Sequence, residues 1–291
     1  MTLISIVIPV YNEEEVIKLI LDKVRKIKRE VSEYDFEIIV VDDSSQDSTF
    51  EILKQENDII LINNPYNLGY GASLKRGIRR AQGEWVCIVD ADGTYPIDKI
   101  SDFLPYLNSY DMVVGARITN NNHTPLVRRP AKKFLNWFAG WIVNFQIPDL
   151  NSGMRIFRRD FCLEFWGLYP DKFSFTSTIT LAFIRSNYFI KYIPIDYYKR
   201  VGKSSISPWH FLTFMGLVFR IAFYFKPLKF LTFFASLFFI GGFIKGAYDF
   251  YHVNYVGNLS VMLIIVSFII LAGGFMADLF FKQKSLWVSK I

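Results

Sequence analysis

Residues 85–96 read WVCIVDADGTYP, and the architecture follows from this stretch. Five apolar residues, Trp85–Val89, run without a break into Asp90-Ala91-Asp92-Gly93. An unbroken apolar run of that length, closed by turn chemistry, predicts a strand buried on both faces. Upstream, YGASLKRGIRRA (70–81) predicts a helix. The same alternation extends in both directions. Strands are expected at Ile4–Pro9, Phe36–Asp42, Ile59–Ile62, Trp85–Asp90 and Met112–Gly115, with helices over 13–30, 48–55, 70–81 and 97–108. In the first helix Val16, Ile17, Ile20, Leu21, Val24 and Ile27 recur at helical spacing. Strand–helix alternation implies an α/β fold, a mostly parallel sheet with helices on both faces, and such sheets bind ligands at the carboxyl ends of their strands. The residues at those ends are Asn12, Glu13, Asp42, Asp43, Asp90, Asp92 and Arg117, and all are polar.

The whole chain has 291 residues, 52% hydrophobic and 18% aromatic, with 21% charged. Mean hydropathy is +0.23. That excludes a disordered chain and argues against a purely soluble one, while the charge, most of it before residue 210, argues against a polytopic channel. A net charge of +6 suggests anionic company. Nucleic acid is the weaker choice, because no finger, helix-turn-helix or arginine-rich tract is visible. Cys87, Cys162 and three scattered histidines lack zinc-ligand spacing, so both cysteines read as reduced packing residues.

Two apolar segments, 228–248 and 259–279, have 21 residues each, roughly 31 Å as helix against a hydrocarbon core of about 30 Å. The loop between them lacks Lys and Arg, whereas Lys226 and Lys229 precede the pair and Lys282, Lys284 and Lys290 follow it. The positive-inside rule then predicts a multi-pass hairpin in the cell membrane with the 1–209 domain on the cytoplasmic side. Residues 210–227 read as a juxtamembrane helix. The helix near 134–147 (FLNWFAGWIVNFQI), preceded by Arg128, Arg129, Lys132 and Lys133, reads either as a core helix or as an amphipathic interface helix.

Asp90 and Asp92, one residue apart at a strand end, suit a hard cation such as Mg²⁺ or Mn²⁺, which in turn bridges a diphosphate. The plainer reading is a polar strand end with turn chemistry. In VVDDSSQDST (40–49), a carboxylate after the strand can accept hydrogen bonds from a base or ribose, while Asp47 or Ser48 can cap the next helix. Two glycine-rich matches fail. Gly69 and Gly71 lack the third glycine of a dinucleotide fingerprint, its place taken by Leu74, and GKS (202–204) lacks the earlier glycine of a phosphate loop.

IPVYNEEE (8–15), VVDDSSQDST, NLGYGASLKRGIRRAQGEWVCIVDADGTYP (67–96), VGAR (114–117), DLNSGMRIFRRD (149–160) and IPIDYYKRVGKSS (193–205) together resemble glycosyltransferase family 2. More narrowly they resemble its polyprenyl-phosphate glycosyltransferases, the group of dolichol-phosphate mannosyltransferase. The resemblance implies a Rossmann-like GT-A fold, a nucleotide diphospho-sugar donor (UDP or GDP), a divalent metal, and a polyprenyl phosphate acceptor in the bilayer. By the same resemblance Pro9, Tyr11, Glu13, Val41 and Asp43 would hold the nucleotide. Asp90 and Ala91 would contact the donor, Asp92 would bind metal with Asp90, and Arg117 and Arg129 would bind phosphate groups, including the acceptor's. Arg200 would close over the diphosphate. The family often has Gln where this chain has Thr94, which then stands as a third candidate metal ligand. Lys203 would replace the usual late lysine, since Ser205 occupies that place, and Lys199 competes with Arg200. A processive polysaccharide synthase would carry Gln-x-x-Arg-Trp, a string this chain lacks. A hydroxyl-acceptor glycosyltransferase and an inactive nucleotide-sugar-binding anchor are the other readings. A second copy of the chain is an admissible partner.

Overall fold

The computed structural model describes residues 1–119, 129–172, 174–199, 216, 219–220, 222–223 and 225–288, the side chains of 129–132 and 281–288 excepted. It divides into two compact units. The first comprises 1–137 and 145–210, the second 138–144 and 211–291.

The first unit is built on a seven-stranded sheet. Its strands are β1 (Thr2–Val10), β2 (Tyr34–Asp42), β3 (Ile60–Asn63), β4 (Trp85–Ile88), β5 (Met112–Ala116), β6 (Arg155–Arg158) and β7 (Ile190–Pro194). Their order is β3-β2-β1-β4-β6-β5-β7. Only β6 runs antiparallel, to β4 on one side and β5 on the other, so the remaining strands point the same way. Helices α1 (Ile17–Glu30), α2 (Thr49–Lys54) and α3 (Tyr70–Arg80) cross between the first four strands. Alternation along β1 sorts the core into two layers. Ile4, Ile6 and Ile8 meet Ile17, Ile20, Leu21, Val24 and Ile27 of α1, and Val7 faces the other layer with Leu74 and Ile78 of α3. Each such buried aliphatic contributes about 1.5–3 kcal/mol. Gly77 permits the second contact, because a Cβ there would press on Val7 and Val41.

Three expected elements differ in detail. The 97–108 helix is a 3₁₀ helix over Ile97–Tyr106 that contains Pro105, a residue with no N–H for an α-helical bond. The first helix begins at Ile17, after a turn in which Val16 and Ile17 both donate to the Glu13 carbonyl at 3.0 Å. The aromatic helix, α4, spans Arg129–Val143, earlier than its composition suggested. Helices α5 (Arg159–Glu164) and α6 (Phe175–Arg185) complete the first unit. Both cysteines are free and buried, and burial pushes the Cys162 thiol up to about 12.

In the second unit, α7 (Pro227–Val253) and α8 (Asn258–Val288) pair as two long apolar helices. Pro227–Val253 and Asn258–Phe280 are long and apolar enough to cross a membrane. The turn between them is shorter than the 249–258 loop read from sequence, because α7 continues to Val253. Asp249 explains the continuation: its carboxylate pairs with Lys245 one turn earlier and accepts from Ser260 Oγ at 3.2 Å. At the other end of the unit, Lys229 lies over the Trp141 ring at 4.5 Å and donates to Asn144 Oδ1 at 2.8 Å.

Candidate active site

The loops after β1 and β2 interlock at the carboxyl edge of the sheet. Each turns through a left-handed residue, Asn12 (φ 54°) and Ser44 (φ 62°). Gln46 N–H donates to Asn12 Oδ1 at 2.7 Å, Glu13 N–H to Thr49 Oγ1 at 2.9 Å, and Asn12 N–H to Ser45 Oγ at 3.0 Å. Ser48 stands at the N-cap of α2 without a side-chain cap bond, and the Asp47 carboxylate before it accepts from Thr49 N–H at 3.0 Å. Tyr11 is exposed, whereas Pro9, Glu13 and Val41 are buried, Val41 with its side chain inside the α3 layer.

Asp43 is also buried, and it organises a third loop. Oδ1 accepts from Asn64 Nδ2 at 2.6 Å and Leu68 N–H at 2.9 Å, and Oδ2 accepts from Gly69 N–H at 2.8 Å. The failed fingerprint of Gly69 and Gly71 then has a physical explanation. Gly71 and Ala72 N–H groups at the start of α3 donate to the Lys172 and Asp171 carbonyls at 3.0 and 2.6 Å. A Cβ on Gly71 would overlap the Pro170 carbonyl oxygen, so these glycines admit a crossing strap of chain.

Asp90, Ala91 and Asp92 follow β4, as its sequence implied. Tyr70 donates its hydroxyl to Asp90 Oδ1 at 2.7 Å. Burial and then the Asp92 charge push the Asp90 carboxyl up to about 6, against the Tyr70 hydrogen bond and the positive charges of Arg117 and Arg155. Burial and the Asp90 charge also hold the Tyr70 phenol well above its usual range, so it remains a donor. Gly93 turns the chain at φ 72°, and Thr94 then binds Asp92 Oδ1 twice, through N–H at 3.1 Å and Oγ1 at 2.6 Å. Thr94 therefore orients Asp92.

Arg117 leaves β5 and grips Asp149. Nε donates to Oδ2 at 2.7 Å, Nη2 to Oδ1 at 2.9 Å, and the Arg117 N–H to Oδ2 at 3.1 Å. Tyr197 and Tyr95 cover the guanidinium, their centroids 5.1 and 6.0 Å from Cζ. Burial would lower the Arg117 pKa, but Tyr95 and Asp149 raise it well above its ordinary value. Tyr198 N–H donates to Thr94 O at 2.9 Å, which ties the 195–198 segment to the acid turn. Asp90, Asp92, Thr94 and Arg117 are thus brought to one edge of the sheet. The Arg129 side chain, Arg200 and Lys203 lie outside the described residues.

Tyr70, Tyr95, Gly153 and Arg155 carried no individual role in the sequence reading, and Asp149 entered only among the acids of 149–171 open as a base for a hydroxyl acceptor. Arg155 is fully buried; its Nε donates to Ser152 O at 3.0 Å and its Nη1 to Thr176 O at 2.9 Å and Thr180 Oγ1 at 2.8 Å. Local sequence does not foretell a buried arginine. The spacing of Asp149, Gly153 and Arg155 around a short strand was the available signal.

The acid pair fits a hard divalent cation. Its donors are all oxygen, and burial and then the charge of Asp92 raise the Asp90 carboxyl, an excess of buried negative charge that a cation relieves. Among the described residues no group of three or more His, Cys, Asp or Glu converges. Two carboxylates suit a cation such as Mg²⁺ that takes its other ligands from substrate phosphates and water.

The model of "Glycosyl transferase family 2" matches residues 5–166, which span every strand end just described and more than half of the chain. The chain belongs to glycosyl transferase family 2. It is 33% identical over 174 residues to a dolichyl-phosphate beta-glucosyltransferase of Trichomonas vaginalis, covering 54% of this chain and 52% of that one. The chain thus spans about half the length of the first curated relatives it matches. It is 27% identical over 248 residues to an undecaprenyl-phosphate 4-deoxy-4-formamido-L-arabinose transferase of Photorhabdus laumondii, covering 83% and 74%. Among solved structures it is similar in fold to glucosyl-3-phosphoglycerate synthase of Mycobacterium tuberculosis with Mn²⁺, uridine diphosphate and phosphoglyceric acid. That match has a TM-score of 0.58 and 16% identity, and covers 76% and 78% of the two chains.

Proposed function

We propose that this family 2 chain moves a hexose from a UDP- or GDP-sugar to a polyprenyl phosphate, dolichyl or undecaprenyl, by a single inverting displacement that gives a β-linked lipid-phosphate sugar. The observation that carries the reading is the occurrence, in one chain, of the Asp90/Asp92 edge on a family 2 fold and of two helices long enough to cross a bilayer. The acceptors in the relatives' names support it.

The acceptor chemistry agrees with the residues. A phosphate monoester has a second pKa of about 6 and attacks the anomeric carbon without a strong base, so the absence of histidine from the described site costs nothing. A bound Mg²⁺ or Mn²⁺ neutralises charge on the departing diphosphate. Asp92, oriented by Thr94, and Asp90 would hold it. Pro9, Tyr11, Glu13, Val41, Asp43 and Ala91 would line the nucleotide, with backbone contacts from the strand residues whose side chains are buried. Arg117, anchored by Asp149, places a fixed cation near Asp90. Arg129 would bind the acceptor phosphate, and Arg200 and Lys203 would cover the diphosphate. Aligning two anions that otherwise repel is then the protein's main task. The hairpin would place the catalytic unit on the cytoplasmic side of the plasma membrane.

The raised Asp90 pKa specifically favours a second reading, in which Asp90 is the general base for a hydroxyl acceptor. One assay separates them. Sugar-labelled donor, polyprenyl phosphate and Mn²⁺ should give an organic-extractable product labile to mild acid, lost in Asp92→Asn. An acid-stable glycoside supports the second reading, and normal turnover in Asp92→Asn removes the role given to the acid pair.

A further inference from the structure

Asp90 is held by two residues distant in sequence. Tyr70, the first residue of α3, donates to Oδ1 at 2.7 Å. The Gly153 backbone lies so close to the same carboxylate that a Cβ there would overlap Oδ2 and stand 2.6 Å from Cγ and 2.7 Å from Oδ1. Gly153 is itself fixed, since its N–H donates to Tyr95 Oη at 2.8 Å. Tyr70 is fixed as well, because the neighbouring Gly71 and Ala72 N–H groups are bound to the 171–172 backbone and Lys75 is paired with Asp171.

An aspartate carboxylate turns easily about its last torsion, and two like charges at one turn would rotate apart. A donor on Oδ1 and a backbone packed against the carboxylate remove that freedom. We propose that Tyr70 is a positioning residue for the cation: its hydroxyl, working against the Gly153 backbone, fixes Asp90 so that the Asp90 and Asp92 carboxylates converge on one divalent ion. This rests on the reading that the acid pair holds the donor's cation. Tyr70 touches neither the ion nor the reacting atoms, and its effect passes through Asp90. Outer-shell partners of metal ligands are typically worth 10–100-fold in metal affinity or activity.

The test is Mn²⁺ binding by the purified full-length protein with UDP present, followed by the loss of the free-ion paramagnetic resonance signal. Tyr70→Phe keeps the ring and removes only the hydroxyl, and should weaken Mn²⁺ binding about tenfold or more in a protein that is still folded at the assay temperature. Gly153→Ala, which displaces the same carboxylate, should weaken it comparably. Tyr192→Phe is the control, because the Tyr192 hydroxyl is buried with no hydrogen-bond partner among the described residues, and it should bind Mn²⁺ as the parent does. Unchanged affinity in Tyr70→Phe, or a loss matched by global unfolding, overturns the proposal. Unchanged affinity in Asp92→Asn overturns instead the metal reading on which it rests.

Discussion

Replacing Asp149 by Ala should destabilise the catalytic unit more than most single substitutions would. Asp149 is fully buried and receives three hydrogen bonds from Arg117, whose side chain is 13% exposed. Truncating Asp149 removes all three of those hydrogen bonds from a largely buried guanidinium, and breaking a buried pair in this way costs about 3–5 kcal/mol. For a unit of this size each kcal/mol moves the unfolding midpoint by about 2–4 °C, so a fall of about 6–20 °C is expected. The double replacement Arg117→Met with Asp149→Leu removes both charges. It should recover most of that stability, because a buried pair exchanged for apolar residues of similar volume is often nearly neutral. The assay is thermal unfolding followed by circular dichroism in detergent, for the parent, Asp149→Ala, and the cycle of Arg117→Met, Asp149→Leu and their double variant. A coupling of about 2 kcal/mol or more between the sites is expected. Asp149→Ala within about 1 kcal/mol of the parent, or strictly additive single effects, would refute the argument. Activity gives an independent reading: the double variant should fold yet transfer sugar poorly, since the anchored cation beside Asp90 is gone.

The other predictions are narrower. Thr94→Val removes the 2.6 Å hydrogen bond that orients Asp92, and should raise the Mn²⁺ concentration for half-maximal transfer by about 10–100-fold while leaving donor saturation nearly unchanged. Gly71→Ala puts a methyl group against backbone carbonyls of the 170–172 strap, which have no side chain to move aside, so lowered expression and a lowered unfolding midpoint are expected. Burial and the Asp92 charge push the Asp90 carboxyl of the folded protein up to about 6 from an ordinary value of 3.8. The folded, metal-free state therefore holds a proton that the unfolded chain releases, and the associated stability is full below about pH 4 and lost as pH rises through about 6. Unfolding midpoints should fall across that window in the parent and stay flatter in Asp90→Asn, while Mn²⁺ binding tightens as the proton leaves. Equal pH profiles for the two proteins would contradict this.

Much of the fold was legible because its signals are strong. The first, second and fourth strands carry apolar runs (Ile6–Val10, Ile38–Val41 and Trp85–Val89) that run into polar residues, and burial on both faces of a parallel sheet demands such runs. The apolar face of α1 and the two long apolar helices were equally plain. The fourth strand neighbours the first in space, an order that neither strand–helix alternation nor any single motif specifies. β6 was hidden because it opens with Arg155, a residue type that reads as solvent-facing; here it is buried among carbonyl and hydroxyl oxygens. β7 was hidden because Ile190–Pro194 carries a lysine and ends in proline. In the site, Asp90 and Asp92 were legible from their place after β4, as was the polar character of the neighbouring strand ends. The contacts that aim them were not, because Tyr70 to Asp90, Thr94 to Asp92 and Asp149 to Arg117 depend on side-chain geometry. Two of those three also join residues 20 or more positions apart.

In the proposed reaction a lipid-borne phosphate takes the sugar as the nucleotide diphosphate leaves. That transfer is tested most directly by identifying the linkage in the product. Purified protein, Mn²⁺, a panel of UDP- and GDP-hexoses and undecaprenyl or dolichyl phosphate should yield a lipid whose mass is that of the polyprenyl phosphate plus one hexosyl residue, with phosphorus resonance showing a phosphodiester and proton resonance a β-anomeric carbon. An α-linked product, or a sugar joined to a hydroxyl with the lipid phosphate still a monoester, would contradict the account.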